Sequence, residues 1–211
     1  MHKSVQLRIL ILSTPRYKLI DLGTFGGPNS YFANPLSRVI NPGGTAAGTA
    51  DTTISDPFYP HCFSDCFVTH AFQRRKGAIT ELESLPGALS SLSLWINDSG
   101  TIVGVSEKGT LDPLTGFPNT DSVLWKDGKA VNIGALGGNA SAPAGLNNRD
   151  QVVGAAANTV PDAFASNFGA SGFGFPFMFF PSATQVHAFL WQDGVIKDLG
   201  TLGAPTAAQD L

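Results

Sequence analysis

The sequence predicts an all-β fold, a β-propeller-like array of four-stranded antiparallel blades with about three blades complete and the ring incomplete. Three observations lead there. First, the stretch Val186-His187-Ala188-Phe189-Leu190-Trp191, continued by Asp198-Leu199-Gly200-Thr201-Leu202-Gly203, has weaker copies upstream. His70-Ala71-Phe72 and the degenerate Asp121-Ser122-Val123 match its head, and each head is followed by a glycine, Gly77, Gly128 or Gly194. Asp21 to Gly27, Asn132 to Gly138 and the eroded Glu81 to Gly87 match its tail. Second, another block repeats in step: Val39-Ile40-Asn41 with Gly48, Trp95-Ile96-Asn97 with Gly104, and Gly145-Leu146-Asn147 with Gly154. Its asparagines lie 56 and 50 residues apart, a period in the range of propellers and related arrays. Third, 24 glycines, 14 prolines, 43% hydrophobic and 14% charged residues in 211 make poor helices but a sizeable core. No segment of helical length carries a 3.6-residue period.

In chain order, residues 1–16 read as a tail, and 17–203 as one repeat domain with units at about 31–82, 90–133 and 141–199; residues 204–211 form a second tail. The apolar run Ile9 to Leu12 is too short for a secretory signal or a membrane span, so neither is expected. Tyr17 to Leu22 is expected as a strand in the register of a fourth strand. The first unit then has strands at 31–40, 45–50, 68–74 and 78–82. Its turns fall at Asn41-Pro42-Gly43-Gly44 and Lys76-Gly77, where Asn, Pro and Gly each favour a turn for their own reason. The second unit repeats this at 92–96, 101–106, 122–125 and 129–133, with turns at Asn97 to Gly100 and Lys126-Asp127-Gly128. The third runs from Ala142 to Leu199, turning at Asn147 to Asp150 and Gln192-Asp193-Gly194. Four short strands per unit joined by hairpin turns is the sequence form of a propeller blade.

The Asp-Leu-Gly-Thr-Leu-Gly, Gln151-Val152-Val153-Gly154 and His187-Ala188-Phe189-Leu190-Trp191 signatures resemble those of the HAF-repeat proteins, a mainly bacterial group of undefined biochemical role. The resemblance covers about residues 17 to 203 and is poorest in unit two, where Asp121 stands for the histidine. It implies an extracellular or cell-surface setting.

Within every unit the connection from second to third strand is long and variable, whereas the other two are tight. In a blade this connection and the link to the next blade emerge on one face, and function is expected there. In unit three that loop holds Phe164, Phe168, Phe173, Phe175, Phe177, Phe179 and Phe180, seven of the fifteen phenylalanines. Phe173, Phe175, Phe177 and Phe179 are the candidate contact surface for a ligand or partner protein; the alternative is that the loop folds back and buries its rings. His70, Phe72, His187, Phe189, Trp125, Trp191, Asn41, Asn97 and Asn147 read as structural repeat residues. Cys62 and Cys66 make a disulfide or two free thiols, and no metal site or cofactor is expected, because His187 has no cysteine neighbours to match those near His70.

No nucleophile elbow, phosphate loop or zinc-protease motif is present, so no catalytic residue is assigned. A net charge of −3 offers no field for nucleic acid. The expected role is therefore a non-catalytic extracellular repeat scaffold that binds through its long-loop face. The alternatives are a propeller enzyme acting at the ring axis on an extracellular polysaccharide or small metabolite, and a fragment of a larger repeat protein. Three blades fall short of the four to eight that close a ring. An open arc, a homo-oligomer joined through open blade ends and a distorted compact stack are the outcomes this allows.

Overall fold

The computed structural model describes residues 17–32, 37–113, 116–162 and 184–201. Among these residues the chain is all β. The first sheet comprises β1 (Gly26–Tyr31), β2 (Ala46–Ser55), β3 (Phe67–Arg75) and β4 (Ala78–Glu81). The second comprises β5 (Ser91–Ile96), β6 (Ile102–Leu111), β7 (Pro118–Lys126) and β8 (Lys129–Gly134). The third comprises β9 (Ser141–Leu146), β10 (Val152–Pro161), β11 (Thr184–Gln192) and β12 (Val195–Asp198). Each is a four-stranded antiparallel meander in chain order, and no ring is closed among the described residues.

The turns follow from the residues in them. Lys76-Gly77, Asp127-Gly128 and Asp193-Gly194 all have positive φ at both positions (50° and 90°, 53° and 78°, 50° and 84°), the type I′ geometry that suits a two-residue hairpin. At the first hairpin of each sheet, an asparagine Oδ1 accepts the backbone N–H four residues on. The pairs are Asn41 with Thr45 (3.0 Å), Asn97 with Thr101 (2.9 Å) and Asn147 with Gln151 (3.1 Å). This side-chain bond holds a five-residue turn closed without help from a neighbouring sheet.

The repeated glycine and the repeated aromatic are explained together. Gly48 pairs across the ladder with Phe72, and Gly154 with Phe189. A Cβ on Gly48 would stand 2.5 Å from the Phe72 ring, and one on Gly154 would stand 2.2 Å from the Ala142 carbonyl oxygen and 2.7 Å from the Phe189 ring. The ring fills the space that glycine leaves, and both phenylalanines are fully buried.

The first strand of each sheet lies against the middle strands of the sheet before it: β5 on β2 and β3, β9 on β6 and β7. Between the first two sheets, Ala47, Ala71, Leu82, Leu85, Ile96, Ile102, Val123 and Trp125 form one core cluster. Val103, Leu124, Ile133, Val152, Ala156, Phe189 and Trp191 form the next. Serines join the sheets as well. Ser91 Oγ accepts the Ala71 N–H (3.0 Å), and Ser141 Oγ accepts the Ser122 N–H (2.7 Å).

Strand boundaries differ from the sequence expectation at the N-terminal end. Tyr17 to Leu22 has the pattern of a strand but lies in none; Tyr17 and Leu19 are almost fully exposed. A strand exists only where a second strand takes its backbone hydrogen bonds, and among the described residues none lies beside this segment. The first strand is Gly26–Tyr31 rather than 31–40; among the described residues of that range, Tyr31 and an isolated bridge from Ile40 to Ala46 pair with β2. The second strands of the first two units also run further than expected, to Ser55 and Leu111.

Candidate functional site

The described parts of the second-to-third connections and the links between sheets leave their strands on the side opposite the asparagine turns. There the first sheet carries an open groove of about 500 Å³ lined by Ile54, Ser55, Pro57, Val68, His70 and Leu89, together with Ser84 and Ala88. Ile54 and Ser55 end β2, Val68 opens β3, and Ala88 and Leu89 belong to the link that leads to β5. The lining is mainly apolar, and Ile54 and Leu89 stay 60% and 41% exposed, so the groove offers hydrocarbon to whatever enters it. His70 supplies one polar point. Its Nε2 bonds the Leu89 carbonyl at 3.0 Å and Nδ1 lies 2.7 Å from Glu81 Oε1, which fixes the ring across β3 and β4.

The same cross-strand position recurs in the other sheets. His187 Nδ1 donates to Asp198 (2.9 Å), while its Nε2 accepts from Asn158 Nδ2 (3.4 Å). In the second sheet Asn132 Nδ2 donates to Asp121 (3.0 Å), so the pair persists with its chemistry exchanged. The Gly200 N–H, and after it His187, hold the Asp198 carboxyl below the ordinary range. These bonds tie third strand to fourth.

The other repeat residues meet partners in the scaffold. Trp125 is 1% exposed and its Nε1 donates to the Glu83 carbonyl (2.7 Å); Trp191 is 7% exposed within the second core cluster. Asn41 Nδ2 donates to the Asn97 carbonyl (3.3 Å) and Asn97 Nδ2 to the Asn147 carbonyl (3.1 Å), a ladder from turn to turn across the sheets. Cys62 and Cys66 are joined in a disulfide within the 56–66 connection. That connection is pinned further by Asp56, whose carboxylate accepts the Phe58 and Phe63 N–H groups (2.8 and 3.0 Å).

Two buried acids, Asp51 and Glu107, were not singled out by the repeats. Asp51, fully buried, accepts the Asn29 N–H (3.0 Å), and Asn29 Nδ2 donates to Asp65 (2.9 Å). Burial, and after it the nearby Asp65 carboxylate, push the Asp51 carboxyl up. Beside them Tyr31 bonds Ser64, and burial pushes its phenol up to about 12. Glu107, at the equivalent of Asp51 in the second sheet, accepts the Leu89 N–H (2.6 Å), and burial raises its carboxyl too. Both acids are closed off from solvent and hold connections in place. Glu107 thereby fixes the backbone of Leu89 at the groove rim.

Phe173, Phe175, Phe177 and Phe179, the contact residues expected from sequence, lie outside the described residues. The strands on either side of that connection, β10 and β11, are paired at Pro161 and Thr184. Among the described residues no group of three or more His, Cys, Asp or Glu is placed to hold a metal ion, and no helix is long and apolar enough to cross a membrane. The groove itself was missed in the sequence because Ile54, Val68 and Leu89 fall outside the repeated signatures. The remaining signal was apolar residues in connections where polar ones would be cheaper to expose. Compared with family models, with curated proteins and with solved structures, the chain matches none.

Proposed function

We propose that the chain is a non-catalytic repeat scaffold whose sheets act as propeller-type blades and whose long-loop end binds a ligand or protein segment with an apolar surface. The groove at Ile54, Val68, His70 and Leu89 carries this reading. It is concave and mainly apolar, with Ser55 and Ser84 as further polar members beside a His70 ring whose two nitrogens are already bonded, and an apolar cleft with few polar groups is the usual make-up of a binding site. The buried acids Asp51 and Glu107 are closed off from solvent, which gives a scaffold role more support than a reaction. The Cys62–Cys66 disulfide supports the extracellular or surface setting that the resemblance to HAF-repeat proteins implies, since such bonds persist in oxidising compartments.

The test is a screen of apolar fragments and of oligosaccharides by NMR, with hits mapped by chemical-shift change. Binders that perturb Ile54, Val68 and Leu89, and that lose about tenfold or more in affinity with Leu89→Arg, support the reading. Binders that cluster elsewhere, or that Leu89→Arg leaves unchanged, sink it.

A further inference from the structure

The two ends of the stack are complementary. What covers the outer face of a sheet is visible twice in this chain, and among the described residues nothing covers the same face of the third sheet. Ala47 and Val103, equivalent positions one residue before the repeated glycine, are 1% and 0% exposed; their counterpart Val153 is 44% exposed. Thr69 and Thr120 are 0% and 1% exposed, whereas Val186 in the same place is 40% exposed. Ala71 and Ser122 are fully buried, and their counterpart Ala188 is exposed. Three neighbouring positions thus change from core to surface together, and they do so because no first strand lies over β10 and β11 among the described residues.

The opposite end carries a matching first strand. Ile96, which packs with Ala47 and Ala71, is 1% exposed, while its counterpart in the first sheet, Ile40, is 58% exposed. Ser91 and Ser141, which cap the Ala71 and Ser122 amides, pair across their ladders with Ser106 and Ala156; Ser30 occupies that register in β1, opposite Ala50. The asparagine ladder stops in the same way. Asn147 Nδ2 turns back onto its own Gln151 side chain (2.7 Å) instead of reaching a further turn.

We propose that β1 and the Ile40 bridge of a second copy of this chain cover the outer face of the third sheet, with Ile40 of one copy seated on Val153 and Ala188 of the other. Ser30 then meets the Ala188 amide as Ser91 meets Ala71, and Asn147 Nδ2 reaches the Asn41 carbonyl as Asn97 Nδ2 reaches Asn147. The contact continues an interface that the chain already builds twice internally, so its shape and polar pairing are set by the repeat. It is head-to-tail, and such contacts close a ring when the rotation fits. Two copies bring six sheets, within the four to eight at which propeller rings close. No residue lining the groove takes part, so this inference stands apart from the binding reading.

Light scattering on the 211-residue chain across a dilution series, with the variants Ile40→Asp and Val153→Asp, tests it. The parent is expected as a discrete dimer, and each substitution is expected to raise its dissociation constant about 100-fold or more, since a charge then faces a desolvated apolar centre. Both side chains are surface residues of the single chain, so the variants keep its circular dichroism. A mixture of the two variants is expected to associate again, because the intact Ile40 end of one meets the intact Val153 face of the other. A chain that is monomeric at every concentration overturns the proposal. So does a dimer that neither substitution weakens, or a mixture in which no association returns.

Discussion

Replacing Asn97 by Ala tests whether the asparagine turns act within each sheet or between sheets. Asn97 is 1% exposed and its side chain makes four bonds: Oδ1 accepts the Thr101 N–H (2.9 Å) and the Ser99 hydroxyl (2.7 Å), while Nδ2 donates to the Asn147 carbonyl (3.1 Å) and to Asp150 Oδ1 (2.7 Å). The Oδ1 bond to the amide four residues on is common to all three turns and contributes about 1 kcal/mol. The two Nδ2 bonds reach into the next sheet, and one of them ends on a carboxylate, so together they contribute about 2 kcal/mol more. Asn147 makes the same turn but spends its Nδ2 on the neighbouring Gln151 side chain. Asn147→Ala is therefore expected to cost about 1 kcal/mol and Asn97→Ala about 3 kcal/mol. The difference corresponds to roughly 4–8 °C in the unfolding midpoint for a domain of this size. Urea unfolding in the Ile40→Asp background, where the single chain is isolated, measures both. Equal costs for the two variants would refute the reasoning, since they would show that the bonds between sheets contribute nothing beyond the turn itself.

Three further outcomes are expected. Gly154→Ala places a Cβ 2.2 Å from a backbone oxygen and should cost about 3 kcal/mol or prevent folding, whereas Gly145→Ala, whose Cβ meets only the Val153 side chain at 3.3 Å, should stay within about 1 kcal/mol; thermal unfolding distinguishes them. Burial raises the Glu107 carboxyl, so the folded chain holds a proton that the unfolded chain has lost, and stability falls as pH rises from the ordinary carboxylate range to the raised value. Glu107→Gln should flatten that slope and gain about 1 kcal/mol on the parent above it, read from urea unfolding between pH 4 and pH 8. Reduction of the Cys62–Cys66 bond, which closes a separation of four residues, should lower stability by about 2 kcal/mol, and hydrogen exchange should rise first in the 56–66 connection.

Much of the architecture is legible in the sequence because it is local. The Lys76-Gly77, Asp127-Gly128 and Asp193-Gly194 turns need φ > 0 at both positions, and glycine in the second place marks each of them. The recurring spacing of asparagine and glycine likewise announces three similar sheets before any contact is known. Tyr17 to Leu22 shows where this fails. Its residues favour a strand, but a strand is a pairing, and local preference holds no information on whether a partner stands beside it. The groove lay beyond reach for a similar reason: Ile54, Val68 and Leu89 come from two strand ends and a link, and only packing brings them around His70.

The sequence by itself determined the period and the hairpin turns, since both depend on backbone geometry within one unit, whereas the pairing of each buried phenylalanine with the glycine opposite came from the strand register. Tertiary structure alone decided that Ile96 is core and Ile40 surface, that Val103 is buried and Val153 bare, and that Asn97 clamps two sheets while Asn147 serves one. These residues occupy identical places in their units. They differ only in whether another sheet lies against them, and burial and hydrogen bonding between units some 50 residues apart belong to the stack rather than to any stretch of the chain.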